Sequence, residues 1–281
     1  MRNHPIGLMD SGVGGLTVLK EIQRLLPTEE TVYLGDQGRL PYGPRSAAEV
    51  LQFTRQIEAF LEQQAQIKLM VIACNTATAA ALKPLQAEVA IPIVGVIAPG
   101  AQAAVQTTRN HRIGVIATAG TVKSDQYHQE IVAQDSQNTV ISLACPEFVT
   151  LVEANDLTSA HAQQVVAQKL APLVAQNLDT LILGCTHFPL LRPLIQSVMG
   201  PQVTLVDPGT ATARLVATLL ADKGLTNDQG RVHPVGRYYT TAAVDHFDFL
   251  ANQWLAQEPV HAQTVRVATL EQLAPQITEV N

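Results

Sequence analysis

Short apolar runs alternate with longer amphipathic segments along the first third of the chain. Residues 6–9, 31–34 and 69–73 have the length and the unbroken apolar character of buried strands. Between them, residues 16–26 and 46–65 repeat apolar positions at helical spacing. Strands that alternate with helices in this way predict a parallel sheet covered by helices on both faces.

Ser46 stands at the start of the second of these helices, and Glu49 follows it three positions later. A serine and a glutamate at this spacing can satisfy each other's backbone N–H groups, so the pair predicts a capping box. Residues 76–89 then predict a helix rich in alanine, and residues 93–96 predict a fourth strand.

The same alternation restarts near Arg112. This second series predicts strands at 113–117, 140–143, 180–183 and 203–206, and helices at 159–175 and 189–199. The first of these strands is followed by a predicted loop at 118–121 and then a helix. A strand at 237–241 and a helix that runs to about Trp254 follow it. Two series of similar order indicate that the chain contains two versions of one structural unit.

Pro99-Gly100 and Pro208-Gly209 are the predicted crossings between the two units. If the second crossing returns the chain to the first unit, the C-terminal segment completes that unit. The sequence therefore predicts an α/β protein with two similar doubly wound parallel-sheet lobes, residues 1–97 plus 208–281 and residues 98–207. We expect the active site in the cleft between the lobes.

The two units place polar residues at equivalent strand ends. Asp10 and Cys74 follow apolar strands in the first unit, and Thr118 and Cys185 do so in the second. Ligands of open parallel sheets bind beyond these ends, where the start of a helix favours a thiolate. A lone cysteine here is most often an inert core residue, but two in matching places predict a pair of functional thiols.

His187 lies two residues after Cys185 and can accept or relay a proton. Cys145 has no counterpart in the other unit, so we expect it to be structural. The eight histidines and three cysteines show no spacing that is typical of a metal site.

Residues 10–15, Asp-Ser-Gly-Val-Gly-Gly, form a glycine-rich turn between strand and helix. Thr17 stands where a dinucleotide-binding fingerprint would have its third glycine, and the chain has no Gly-Lys-Ser or Gly-Lys-Thr for a phosphate-binding loop. The turn therefore predicts a backbone cradle for an anion such as a carboxylate, with Asp10 exposed beside it. Tyr42, in the loop 36–45, is a candidate wall of the same pocket.

Composition narrows the class of protein. The 281 residues are 47% hydrophobic and 15% charged, with a formal net charge of -6, which excludes a disordered chain and argues against a nucleic-acid partner. No apolar run reaches the length of a transmembrane helix, and no signal peptide precedes the first strand. We expect a cytoplasmic protein with free thiols and no membrane partner.

Together these segments resemble one family, the cofactor-independent glutamate racemases. The matching segments are 7–15 (Gly-Leu-Met-Asp-Ser-Gly-Val-Gly-Gly), 40–43 (Leu-Pro-Tyr-Gly), 73–76 (Ala-Cys-Asn-Thr), 117–121 (Ala-Thr-Ala-Gly-Thr), 145–153, 184–190 (Gly-Cys-Thr-His-Phe-Pro-Leu) and 239–241 (Tyr-Thr-Thr). They span most of the chain in the expected order. One departure is Gln37-Gly38, where the family more often has Thr or Ser followed by Ala.

The resemblance implies that glutamate binds in the cleft and that its α-carbon is inverted without a cofactor or a metal. It implies that Cys74 deprotonates D-glutamate with help from Asp10, and that Cys185 deprotonates L-glutamate with help from Glu153 and His187. The implied substrate-binding residues are Asp10, Ser11, Tyr42, Gly43, Cys74, Asn75, Thr76, Thr118, Thr121, Cys185 and Thr186. D-Glutamate from such an enzyme feeds peptidoglycan synthesis, and a homodimer is left open.

Three other functions remain open at the level of sequence. A hydrolase that uses Cys185 and His187 would explain one unit, but it would give Cys74 no role. A non-catalytic two-lobed amino-acid-binding protein would explain the repeat but not the two thiols. An aspartate racemase with two cysteines is the nearest alternative of the same class.

Overall fold

A computed structural model of the chain describes residues 1–255 and 259–274. Each strand in it runs parallel to its neighbours. The strands are β1 (Ile6–Asp10), β2 (Thr31–Gly35), β3 (Leu69–Ile72), β4 (Ile93–Gly95), β5 (Arg112–Ala117), β6 (Thr139–Ala144), β7 (Thr180–Gly184), β8 (Thr204–Val206), β9 (Arg237–Thr240) and β10 (Ala262–Thr264).

Helices connect the strands, as parallel pairing requires. They are α1 (Leu16–Leu25), α2 (Ala47–Ala65), α3 (Asn75–Glu88), α4 (Ile97–Thr107), α5 (Ala119–Ser124), α6 (Gln126–Gln134), α7 (Pro146–Glu153), α8 (Ala160–Val174), α9 (Arg192–Met199), α10 (Pro208–Asp222), α11 (Val244–Leu255) and α12 (Val267–Leu273). Short 3-10 turns lie at Gln37–Arg39 and Phe188–Leu191. None of the helices in the described ranges is long and apolar enough to cross a bilayer.

The strands form two sheets, which confirms the predicted fold class. One has the order β10-β9-β2-β1-β3-β4 and the other the order β6-β5-β7-β8. The first sheet takes strands from both ends of the chain, so the C-terminal segment does complete it. The lobe boundaries 1–97 plus 208–281 and 98–207 fit this membership, and we retain them as a proposal.

The predicted capping box at the start of α2 is confirmed. The Ser46 side chain accepts a hydrogen bond from the backbone N–H of Glu49, and the Glu49 carboxylate accepts one from the backbone N–H of Ser46. Two of the N–H groups that a helix start leaves without partners are thereby satisfied.

Pro99 and Gly100 lie in the first turn of α4, where the missing N–H of proline costs little, and α4 connects β4 of one sheet to β5 of the other. We therefore retain the predicted crossing at this place as a proposal. One prediction about a loop is wrong. Residues 118–121 begin α5, with Thr118 as its N-cap, rather than forming a loop. A Cβ atom on Gly100 would lie 3.0 Å from Pro208, so the starts of α4 and α10 pack against each other.

The lobes share a hydrophobic core. A single cluster of buried side chains joins Leu8 and Leu16 of the first lobe to Leu183 of the second, and it also includes Val216 of α10. The lobes are therefore packed directly on each other, and the strand ends of both sheets meet at one place.

Candidate active site

One cavity of about 670 Å³ lies where the carboxyl ends of β1, β3, β5 and β7 meet. Its lining contains Ser11, Tyr42, Gly43, Cys74, Asn75, Thr76, Thr118, Glu153, Cys185, Thr186 and His187, all of them predicted site residues. Asp10 and Thr121 lie outside the lining, where they form hydrogen bonds with the lining residues Thr186 and Thr76 respectively. The structure thus brings the two thiols into one cavity from two lobes.

Cys74 is the N-cap residue of α3. Its sulfur accepts a hydrogen bond from the backbone N–H of Ala77 at 3.4 Å and lies 3.8 Å from the hydroxyl of Ser11. Burial raises the pKa of the Cys74 thiol to about 12, and the Asp10 carboxylate adds to this, although both hydrogen bonds act in the opposite direction. The helix start therefore does not by itself make Cys74 a thiolate.

Cys185 is the first member of a chain of three side chains. Its sulfur lies 3.7 Å from Nδ1 of His187, whose Nε2 lies 2.7 Å from Oε1 of Glu153. Burial lowers the pKa of His187, but the hydrogen bonds and charges of Cys185 and Glu153 raise it well above the ordinary value. The arrangement favours an imidazolium beside the Cys185 sulfur.

Asp10 is fully buried, so the prediction of an exposed carboxylate at this strand end is wrong. Its Oδ1 accepts a hydrogen bond from the Thr186 hydroxyl at 3.2 Å, and its Oδ2 accepts one from the backbone N–H of Gly12 at 3.0 Å. Burial raises the pKa of Asp10, although the charge of His187 and these hydrogen-bond donors lower it. The second lobe covers this strand end, and the sequence of either lobe alone gives no sign of that contact.

The glycines of the turn 10–15 allow the two lobes to approach closely. A Cβ atom on Gly14 would lie 2.5 Å from Nδ1 of His187 and from Oγ1 of Thr186. One on Gly12 would lie 3.3 Å from Oε1 of Glu153. The glycines thus have a packing role that the sequence did not suggest.

Three threonine hydroxyls form a triangle that joins the lobes. Thr76 Oγ1 lies 2.9 Å from Thr118 Oγ1 and 3.3 Å from Thr121 Oγ1, and the last two are 3.1 Å apart. Each hydroxyl can donate or accept, so the group can turn towards a carboxylate that enters the cavity.

Tyr42 lines the cavity, but its hydroxyl donates to the buried carboxylate of Asp36. The same carboxylate accepts from Arg39 Nε at 2.6 Å and from Thr241 Oγ1 at 2.8 Å. These bonds hold the loop 36–45 over the pocket.

The departure at Gln37-Gly38 lies on the far side of that loop. The Gln37 side chain accepts from the Thr240 hydroxyl at 2.8 Å, and the backbone N–H of Gly38 donates to Thr241 Oγ1 at 2.8 Å. Both residues therefore tie the loop to the end of β9, and neither belongs to the cavity lining.

The sequence did not identify the apolar part of the lining. It consists of Leu40, Pro41, Pro44, Ala119, Pro146, Val149 and Ala154, with the Thr150 side chain among them. Several of these belong to α7, which begins at Pro146 and carries Glu153 as its last residue. Proline at a first helical position is a signal that could have revealed this helix.

Cys145 lies buried immediately before α7 and outside the cavity lining. Burial raises the pKa of its thiol to about 12. Within the described residues, no group of three or more His, Cys, Asp or Glu side chains could hold a metal ion.

A family model described as Asp/Glu/Hydantoin racemase matches residues 6–216. The chain belongs to this racemase family. A glutamate racemase from Levilactobacillus brevis is 64% identical to it over 270 residues, which cover 96% of this chain and 98% of the relative.

Solved racemase structures agree with this assignment. A glutamate racemase isoform from Bacillus anthracis superposes with a TM-score of 0.91 at 43% identity, over 95% of this chain and 99% of that chain. The Francisella tularensis glutamate racemase, solved in complex with D-glutamate, gives a TM-score of 0.88 at 33% identity, over 97% and 100% of the chains. The predicted family and fold class are confirmed.

Proposed function

We propose that this racemase inverts glutamate with two thiols, one of which removes the α-proton while the other delivers a different proton to the opposite face; the two thiols are those of Cys74 and Cys185. That it is an isomerase acting on glutamate follows from its relatives. The observation that supports the two-thiol mechanism is the placement of both sulfurs, at equivalent strand ends of two sheets, in one cavity. An inversion needs an acid and a base on opposite faces of the α-carbon, and two thiols that enter one cavity from different sheets fit that requirement.

In the L-to-D direction, the Cys185 thiolate takes the α-proton and leaves the electron pair on the α-carbon. The Cys74 thiol then donates its proton to the opposite face and becomes the thiolate. The imidazolium of His187, stabilised by Glu153, favours the negative charge on Cys185 before the transfer. The D-to-L direction reverses each step, with Cys74 as the base and Asp10 assisting it.

The polar residues of the lining hold the substrate and stabilise the carbanion. We assign this role to Ser11, Tyr42, Gly43, Asn75, Thr76, Thr118 and Thr186. We add Thr121, which lies outside the lining and contacts Thr76. Hydrogen-bond donors that are fixed before the reaction stabilise charge that develops on the α-carboxylate without the cost of reorienting solvent. We expect the D-glutamate product to enter peptidoglycan synthesis in the cytoplasm.

The cysteine variants test this mechanism. Cys74→Ala and Cys185→Ala each remove the acid or base from one face, so we expect racemisation to fall by about 10³-fold or more. Cys145→Ala removes a buried thiol outside the cavity, and its racemisation rate should stay close to that of the unmodified chain. Polarimetry of L- and D-glutamate measures all three, and near-normal turnover of Cys74→Ala or Cys185→Ala would contradict the two-thiol mechanism.

A further inference from the structure

Each thiol is followed in the sequence by a residue that is hydrogen-bonded to the other lobe. Thr186, after Cys185, accepts through its carbonyl from the Thr17 hydroxyl of α1 at 3.0 Å. Asn75, after Cys74, accepts through Oδ1 from the Tyr127 hydroxyl of α6 at 2.7 Å. We propose that Thr17 and Tyr127 are positioning residues, each of which holds the thiol of the opposite lobe against the substrate's α-carbon.

Thr17 contacts the peptide that follows Cys185. Its hydroxyl lies 2.9 Å from the carbonyl of Gly14 in its own lobe and 3.0 Å from that of Thr186 in the other. Thr186 also donates from its side chain to Asp10, so the first lobe binds this residue from two directions. Thr17 is the residue that departs from the dinucleotide fingerprint, and this contact gives that position a role in the racemase.

Tyr127 makes the corresponding contact on the other side. It is buried in the second lobe, where its ring packs against Gly184: a Cβ atom on Gly184 would lie 3.1 Å from Cε2 of Tyr127. Its hydroxyl fixes the amide of Asn75, which is itself buried and lines the cavity beside Cys74. Tyr127 therefore contacts the neighbours of both thiols but bonds to that of Cys74.

Thr17 and Tyr127 do not belong to the cavity lining, so neither can touch the substrate in this arrangement. They act through Thr186 and Asn75. Proton transfer from a carbon acid to a thiolate requires the sulfur within close reach and in line with the C–H bond, and a misplacement of about 1 Å can reduce a rate by about 100-fold. A cross-lobe hydrogen bond next to each sulfur limits that misplacement.

The inference rests on the proposed function, in which each thiol removes the proton of one enantiomer, and this lets the roles of Thr17 and Tyr127 be measured separately. L- and D-glutamate have equal free energies, so any variant changes kcat/KM by the same factor in the two directions, and kcat/KM alone cannot separate the roles. The isotope effect of α-deuterated substrate still reports which of the two transfers is slow. If Cys185 is misplaced, the effect on kcat/KM rises with deuterated L-glutamate and falls with deuterated D-glutamate.

The decisive variants remove single hydroxyl groups. We expect Thr17→Val to lower kcat/KM by about two- to tenfold, to raise the isotope effect of α-deuterated L-glutamate and to lower that of α-deuterated D-glutamate. Tyr127→Phe should lower kcat/KM to a similar extent, but it should raise the isotope effect of D-glutamate and lower that of L-glutamate. Thr17→Ser keeps the hydroxyl and should restore both values.

Two control variants remove equivalent groups that do not cross the lobes. Thr107 is a half-buried helical threonine that donates to Ala103 in its own helix, and Tyr238 is a buried tyrosine that bonds to Gln23. Thr107→Val and Tyr238→Phe should leave both isotope effects unchanged. If Thr17→Val does not fold, Thr17→Ala removes the same hydroxyl with less bulk, and the Tyr127→Phe measurement stands by itself.

The positioning roles would be overturned if the isotope effect of L-glutamate changed in the same direction in Thr17→Val and Tyr127→Phe. They would also be overturned if neither variant changed either isotope effect. If the two cysteine variants still abolish racemisation in that case, the proposed function stands and only this inference fails. If either cysteine variant racemises glutamate normally, the two-thiol function itself fails.

Discussion

His187 depends on a residue that the sequence places 34 positions away, Glu153. The Glu153 carboxylate is the negative charge that, with Cys185, keeps the imidazolium favoured in spite of burial. Its second oxygen lies 3.9 Å from Nε2 of His246 on α11, which is half-exposed. Replacing Glu153 with glutamine would therefore change the charge that acts on His187 and leave the shape of the side chain nearly the same.

Glu153→Gln keeps the shape of this side chain and removes its charge. The pKa of His187 should fall, because one of the two groups that raise it is lost. The imidazolium is then lost at lower pH, so we expect the alkaline limb of the kcat/KM profile to move to lower pH and the maximum to fall by about tenfold. Glu147→Gln, on the first turn of the same helix, is the matched control and should leave the profile unchanged.

The residues that could be predicted from sequence are those that a single lobe defines. Cys74, Cys185 and Thr118 follow strands, and the repeat of that pattern marks them. The burial of Asp10 and the packing of Gly14 against His187 depend on contacts between lobes, which no local pattern shows. The resemblance to the family implied only that Glu153 and His187 assist Cys185, and their hydrogen bond to each other was not predicted.

At the scale of elements, the glycine turn between β1 and α1 sets how closely the first lobe approaches Cys185. We expect Gly14→Ala to lower kcat/KM by about 100-fold, because its methyl group displaces the side chains of His187 and Thr186. Both are side chains at the edge of a cavity, so the unfolding temperature should change by only a few degrees. Unchanged kinetics in a folded Gly14→Ala variant would contradict the close packing.

Helix α2 carries Glu58, a carboxyl group whose ionised form is disfavoured by burial. Burial raises the pKa of Glu58 to about 7, and the charge and hydrogen bond of Glu62 and the charge of Glu88 add to this. Because the pKa is raised in the folded state, the protonated side chain is favoured there, and stability is lost as pH rises through that value.

We therefore expect Glu58→Gln to raise the free energy of unfolding by about 1 kcal/mol at pH 8 and to leave it almost unchanged at pH 5. Urea unfolding at the two pH values measures this. Glu30→Gln, which changes an exposed carboxylate, is the control and should show no such difference. Equal effects of Glu58→Gln at both pH values would contradict the raised pKa.

The elements were predicted well where a strong period was present. The strands β1, β2 and β7 and the helix α2 agree with their predicted ranges to within a residue or two. The short helices α5 and α7 were missed, since six and eight residues do not establish a helical period. Both helices border the cavity, so the sequence left part of the border of the site unassigned.

At the scale of the whole molecule, the lobes share a core and are joined around the cavity. Cross-lobe bonds run from Thr76 to Thr118, from Thr17 to Thr186 and from Tyr127 to Asn75. A substrate that binds residues of both lobes should favour the arrangement in which these bonds are formed. We expect D-glutamate to slow amide hydrogen exchange in residues 75–77 of the first lobe as well as in residues 95–100 and 118–121.

Residues 262–264, at the outer edge of the first sheet, provide the internal control for that experiment and should exchange at the same rate with and without ligand. The measurement is hydrogen exchange read by mass spectrometry, with and without saturating D-glutamate. Protection confined to one lobe would contradict a substrate held by both.

The most direct test of the two-thiol mechanism is the entry of deuterium from heavy water. Starting from L-glutamate, Cys185 removes the α-proton, and Cys74, equilibrated with solvent, delivers deuterium to the opposite face. Mass spectrometry of the separated enantiomers at early times should find deuterium in the D-glutamate first formed and protium in the remaining L-glutamate. Protium retained in the first D-glutamate, or label entering the L-glutamate pool as fast as the product, would contradict the mechanism.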